Sequence, residues 1–287
     1  MAQPTPPFMR FGPEAPAIPV VLSVPHAGRA YSDELLGAAR VPLKTLEVLE
    51  DRLVDRLVWR AVAEGASALV ALRPRAEIDL NRDEREIDPG MVTPPPAPRA
   101  LLQSPRSRGG LGLVPSRITG AGSIWWRRLS AGELNRRIET VHRPYHRALA
   151  AMLEETRARF GTAILLDCHS MPPRAFGVPE QAGVVLGDRF GTSMAPRFLE
   201  VAATAARRLG FKVARNEPYA GGYITQAHGR PAEGIHALQL EVDRSLYLDE
   251  QLRTPGPGFD AIAGLIAAIT AALTRSVLEH PEALAAE

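Results

Sequence analysis

The feature that most constrains this chain is a set of short apolar runs that each stop abruptly at polar residues. AIPVVLSVPHAG, residues 17–28, is rich in valine and ends in Pro25, His26 and Gly28, which predicts a buried strand opening into a loop. SALVALR (67–73) and AEIDLNR (76–82) predict two further strands, the second ending in a polar cluster. TAILLDCHS (162–170) is apolar and then polar, GVVLGD (183–188) and FKVARN (211–216) predict strands, and IHALQLEVDRS (235–245) a last one. Between them lie helical patterns. EVLEDRLVDRLVWRAVAEG (47–65) carries Leu49, Leu53, Leu57 and Val58 at helical spacing. Ser130 opens a capping box with Glu133 before a helix that Pro144 kinks or splits. Residues 192–210 form a helix despite Pro196, and 259–279 form an amphipathic one. Alternating strands and helices predict an α/β fold with a mostly parallel or mixed sheet, in which ligands gather beyond the carboxyl ends of strands.

With 287 residues and 45% hydrophobic content the chain has enough material for a full core. One catalytic domain over 16–280 is expected, behind a proline-rich, flexible stretch 1–15. Residues 88–122, dense in proline and glycine, are read as a lid-like irregular segment. The net charge is +2, and the arginines are spread along the chain with acids beside them, which is no nucleic-acid footprint. Cys168 stands alone, so no internal disulfide forms. The opening lacks the pattern of a secretion signal, and no uninterrupted apolar run approaches the roughly 20 residues that cross a bilayer. A soluble, cytoplasmic protein with no membrane partner is expected. P-loop, GxGxxG, GxSxG and paired CxxC motifs are absent.

Two of the apolar runs end in histidine, His26 and His169. Imidazoles held rigidly at strand ends suit a zinc site, although a core histidine bonded to a neighbour gives the same pattern. A catalytic zinc takes a third protein ligand. Asp51 is the leading candidate and its neighbour Glu50 stays open; an exposed Asp51 paired with Arg52 is the alternative. Glu241 lies on the carboxylate-bearing face of a strand, where Gln239, Glu241 and Asp243 alternate with Leu238, Leu240 and Val242, so it is either a general base or the partner of Arg244. Asn81 and Arg82 place an amide and a guanidinium fork where a substrate carboxylate can be held, or Arg82 pairs with Asp83 or Glu84. Tyr219, Tyr223, Thr225 and His228, after a glycine-rich turn, are candidate pocket residues. His142 and His146 have helix or core roles as the alternative to a functional one.

SVPHAG, DLNR, RPYH, LLDCHSMP, PYAGGYIT and LQLEVDRSLYLDE, in that order along the chain in a likeness that extends from about residue 17 to 252, closely resemble motifs of the N-formylglutamate amidohydrolase family. That family is similar in fold to zinc carboxypeptidases, succinylglutamate desuccinylase and aspartoacylase, which implies a three-layer α/β/α sandwich around a mixed, mostly parallel sheet. The resemblance implies that His26 and His169 bind zinc, or another divalent metal, and that Glu241 is the catalytic glutamate. It implies too that Asn81 and Arg82 hold a substrate carboxylate. The carboxypeptidase-type relatives have a glutamate three residues after the first histidine, where this chain has Arg29; Asp51 matches an aspartate of the formylglutamate enzymes. The implied activity is hydrolysis of N-formyl-L-glutamate, or a close N-acyl amino acid, with Glu241 as proton carrier. The rivals are a deacylase of another N-acyl amino acid, a small carboxypeptidase, and a non-catalytic protein that binds an acidic metabolite.

Overall fold

The computed structural model describes residues 6–173 and 182–279. Its frame is a seven-stranded sheet made of β1 (Phe8–Phe11), β2 (Val20–Val24), β3 (Ser67–Ala71), β4 (Ala163–Met171), β5 (Val184–Gly187), β6 (Val213–Arg215) and β7 (Ile235–Asp243). The strands lie in the order β1-β3-β2-β4-β7-β5-β6. Pairs β2–β3, β2–β4, β4–β7 and β5–β6 are parallel, and β5–β7 is antiparallel. The mixed, mostly parallel α/β sheet expected from the sequence is the one observed. Every residue of β2, β3, β4, β5 and β7 is buried, which is why β2, β3, β5 and the first half of β4 read as nearly continuous apolar runs, while β7 alternates because its polar face is buried too.

Two compact units share the chain. The sheet unit comprises Arg10–Val24, Asp51–Val70 and Leu149–Glu287. Within it α3 (Pro196–Arg208) starts on its proline, which is tolerated there because the first helical N–H has no intrahelical partner to lose. A short helix α4 (Tyr223–His228) contacts β4 and β7. The last helix, α5 (Phe259–Glu279), buries Ile262, Leu265, Ile266, Ile269, Leu273 and Val277, and packs on α3 and on the helix Trp59–Ala63. By length and composition α5 is apolar enough to cross a membrane, with a mean hydropathy of 1.8, yet half of that window is buried inside the protein. It has the burial of a core helix.

The loop-rich unit comprises Met1–Met9, Pro25–Glu50 and Ala71–Ala148. Here the capping box forms as expected: Glu133 N–H donates to Ser130 Oγ (3.1 Å), and Ser130 N–H donates to Glu133 Oε2 (3.0 Å) at the start of α1 (Ala131–Arg137). A π-helical turn, Ile138–His142, follows before α2 (Arg143–Phe160). The interruption falls just ahead of Pro144, whose missing N–H removes one α-helical bond that the wider turn absorbs. Residues 88–122 form only short pieces, namely the turns Pro89–Met91 and Pro98–Ala100, the helix Pro105–Arg108 and two-residue strands. Phe8–Phe11 is a strand within the stretch 1–15, and residues 1–5 of that stretch lie outside the described residues.

Two expected elements differ. The helix over 47–65 is broken: Glu50 is extended (ψ 145°), Leu53 is left-handed (φ 61°), and helix returns only at Val54–Leu57 and Trp59–Ala63. Helical propensity is a weak preference, and here buried bonds to the Asp51 carboxylate override it. AEIDLNR is not a strand but a series of turns. Ala76, Ile78 and Leu80 are buried as an alternating strand would bury them, but the stretch bonds through its backbone to a loop and a side chain, the Asp79 N–H to the Leu113 carbonyl and the Leu80 carbonyl to His146.

Candidate active site

In the sheet unit the polar residues form a ladder on one sheet face. Side chains two apart on a strand share a face, and register aligns Ser23 with Asp167, Asp167 with Gln239, and His169 with Glu241. Ser23 Oγ donates to Asp167 Oδ1 (2.7 Å), and Gln239 Nε2 donates to Glu241 Oε1 (3.0 Å). His169 bonds through Nε2 to Asp167 Oδ2 (2.8 Å) and through Nδ1 to Asp51 Oδ2 (2.9 Å). Arg244 lies behind this group, with Nη2 donating to Asp51 Oδ1 (3.2 Å) and Nε to Ser170 Oγ (3.1 Å). The turn that presents Asp51 is fixed by the fully buried Tyr247, whose hydroxyl donates to the Arg52 carbonyl (2.7 Å). The opposite face of the same strands, with Leu166, Cys168, Leu238, Leu240 and Val242, is buried and apolar.

Charge decides what this cluster can hold. Burial alone would lower the pKa of His169, but Asp167, its hydrogen bond to Asp51 and the nearby Glu241 push it well above the ordinary imidazole value. The surrounding carboxylates thus favour positive charge at this ring, and a divalent ion held by His169 and Asp51 would supply it. Asp167 would then keep the Nε2 proton and fix ring tautomer and orientation. His228 on α4 stays neutral, its pKa lowered to about 4 mainly by burial. Thr225 Oγ1 donates to the Gly222 carbonyl (3.0 Å), which fixes the start of the same helix, and Tyr223 is half-buried beside it.

In the loop-rich unit His26 makes the matching contact, Nε2 to Asp79 Oδ1 at 2.7 Å, with both side chains buried. Gly28 has a structural reason: a Cβ there would meet the Arg73 carbonyl oxygen at 2.1 Å. Asp79 is a hub. It accepts from Arg75 Nε (2.8 Å) and from the Asn81 N–H (2.8 Å), and Arg82 Nη2 lies 3.8 Å away. Burial would raise its pKa, but Arg75, Arg82 and His26 hold it well below the usual carboxylate range. Arg82 is itself buried, which lowers its pKa; Nε donates to the Leu111 carbonyl (2.8 Å) and Nη1 to the Asn81 carbonyl (2.6 Å). Glu50, the alternative to Asp51, accepts instead from the Tyr31 hydroxyl (2.8 Å).

Among the described residues His26, Asp51 and His169 are all buried, and each offers one atom that could ligate a metal ion. Two imidazoles and a carboxylate form a donor set that suits zinc and leaves a fourth position for water or substrate. Sequence reasoning missed the partners of these groups. Asp79 and Asp167 stood in the quoted motifs, Asp167 two residues before His169 and so on the same strand face. Arg244, weighed as a partner for Glu241, bonds to Asp51. That last contact joins positions 193 residues apart and has no local signal.

The model of the N-formylglutamate amidohydrolase family matches residues 18–248. The chain belongs to this family. It is therefore a hydrolase acting on an amide bond, which sets aside the non-catalytic reading. An N-formylglutamate deformylase of Pseudomonas putida is 31% identical over 243 residues, covering 81% of this chain and 83% of that one. A deformylase of the same name from Pseudomonas aeruginosa is 32% identical, covering 82% and 84%. The crystal structure of an N-formylglutamate amidohydrolase from Ralstonia eutropha superposes with a TM-score of 0.87 at 35% identity, covering 95% of this chain and 99% of that one. A more distant Agrobacterium tumefaciens protein of known structure, at 18% identity and a TM-score of 0.64, shares the fold.

Proposed function

We propose that this family member uses a divalent metal, zinc by its donor set, to hydrolyse N-formyl-L-glutamate to formate and glutamate. The observation that carries the reading is the donor set of His26, Asp51 and His169, with Asp51 bonded to His169 and Glu241 in register beside that histidine. Two curated relatives and a solved one carry that substrate in their names, which supports the choice of acyl group. When bound, zinc supplies Lewis acidity that favours both the attack of water and the build-up of charge on the carbonyl oxygen. Asp79 and Asp167 hold the two imidazoles in the required tautomer and orientation. Glu241, a carboxylate kept on a rigid strand by Gln239, accepts the proton of the attacking water and returns it to the amide nitrogen as the C–N bond breaks. Arg82, with Asn81 beside it, takes a substrate carboxylate, so that the scissile amide is fixed rather than merely bound. Tyr223, Thr225 and His228 line the acyl-amino-acid pocket in this scheme.

A panel of formyl, acetyl and succinyl derivatives of glutamate and glutamine tests the assignment, run on wild-type protein and on Arg82→Ala. The expected result is preference for formyl-glutamate, with kcat/KM falling about a hundredfold in the variant, the scale of one lost charge-assisted contact. Equal turnover across the acyl groups, or a variant with unchanged kcat/KM, would refute the substrate or the clamp respectively.

A further inference from the structure

The stretch Ile78–Asp83 is buried throughout, yet none of it lies in a strand or helix. Buried backbone carbonyls must find donors, and here no ladder supplies them. Two come from one helical stretch: His146 Nε2 lies 2.9 Å from the Leu80 carbonyl oxygen, and His142 Nε2 lies 2.9 Å from the Arg82 carbonyl oxygen. A carbonyl only accepts, so each ring is the donor through Nε2–H. The two rings stand one helical turn apart with centroids 4.4 Å apart, His142 being the last residue of the π-helical turn. Tyr145 between them is fully buried, edge-on to His146 and to Phe8, and anchors this turn in the interior. Asn81 therefore sits between two clamped carbonyls, and Arg82 owns one of them.

We propose that His142 and His146 are positioning residues: they lock the Leu80–Asn81 and Arg82–Asp83 peptide units that bracket Asn81 and Arg82, so that the Asn81 amide and the Arg82 guanidinium are set for a substrate carboxylate. This rests on the role given to Asn81 and Arg82 above. Without the two donors, each of these peptides keeps an N–H bond, to Asp79 or to Glu86, but its carbonyl rotates about that hold in search of another donor. Such a rotation swings both side chains while leaving the sheet-borne His169 and Glu241 untouched. The motif Arg143-Pro144-Tyr145-His146, with His142 before it, thereby acquires a function distinct from plain core packing.

The test compares His142→Ala and His146→Ala with His142→Gln and His146→Gln, since a glutamine amide can present a donor at a reach similar to Nε2. In the alanine variants KM for N-formyl-L-glutamate rises about tenfold while kcat changes less than about threefold, because the loss falls on substrate holding rather than on the chemical step. Hydrogen exchange at the Asn81 amide, protected by Asp79 in the folded loop, speeds up in parallel. The glutamine variants regain most of both. Alanine variants with wild-type KM overturn the positioning role, whatever their exchange. Glutamine variants no better than alanine also overturn it, since they assign the loss to general packing. If wild-type protein ignores N-formyl-L-glutamate, the substrate reading has failed separately; the same comparison is then made with the acyl amino acid from the panel that it does hydrolyse.

Discussion

His169 and Arg82 are both buried, both polar, and held by opposite means. On β4 and β7 the sheet satisfies the backbone, which leaves the side chains of Asp167, His169 and Glu241 free to face one another and be used. In the Ile78–Asp83 stretch there is no ladder, so side chains are spent on holding backbone: Asp79 on the Asn81 N–H, Arg82 on two carbonyls, His142 and His146 on two more. The sheet offers rigidity from regular structure. The loop obtains it from a set of individual bonds, each of which can be removed singly. Damage to the sheet-borne group should therefore appear in the chemical step or in metal binding, and damage to the loop in substrate holding as well.

The largest expected effect is at Glu241. Replacing it with Gln removes the proposed proton carrier but keeps the strand and the Gln239 neighbour, and kcat should fall by about 10²–10⁴ with bound metal retained. Near-normal turnover, with metal content measured on the same sample, removes Glu241 from the mechanism.

Next come the two carboxylates behind the histidines. Asp167→Asn and Asp79→Asn should each weaken zinc affinity by about 10–100-fold, measured by competition with a chromogenic chelator. The contrast between the regions adds a further expectation. Asp79→Asn should also raise KM, because Asp79 holds Arg75 and the Asn81 N–H as well as His26, whereas Asp167 should affect metal alone. Equal KM values in the two variants would erase the distinction drawn here between sheet and loop.

The smallest effect concerns stability and tests the sheet away from the metal. His236 on β7 is buried against Phe198, and its Nδ1 accepts from the Ala195 N–H (3.3 Å). Burial, with Arg197 nearby, lowers its pKa to about 4. The unfolded chain takes up this proton first, since an ordinary histidine titrates near 6.5. The neutral ring therefore contributes its full stability above about pH 6.5, and that contribution is lost as pH falls toward 4, by at most about 3 kcal/mol. Denaturant unfolding of His236→Gln between pH 7 and 4 should show a shallower acid decline than wild type. Parallel declines would mean that this ring does not carry it.

How much of this was legible follows the same division. The strands of the sheet and the capping box at Ser130 were readable because burial on both faces and helix capping leave local patterns of residues. His26, His169 and Glu241 could be singled out because a polar residue ending or interrupting such a run is conspicuous. The sequence pattern suggests a strand where there is a loop, since Ala76, Ile78 and Leu80 alternate in the chain while the backbone partners of the stretch, Leu113 for the Asp79 N–H and the helix histidines for the Leu80 and Arg82 carbonyls, lie tens of residues away. The break in the helix at Glu50–Leu53 was equally invisible. Its cause is the pairing of Asp51 with His169 and Arg244, which no spacing within 47–65 encodes.

The central claim is that His26, Asp51 and His169 together hold one catalytic metal. Its most direct test is to strip the purified protein with a chelator, verify the metal content, assay hydrolysis of N-formyl-L-glutamate, and titrate zinc back. The account predicts negligible turnover without metal and full recovery at about one equivalent of zinc per chain, with the recovery abolished in Asp51→Ala. Full turnover by verified metal-free protein would contradict it.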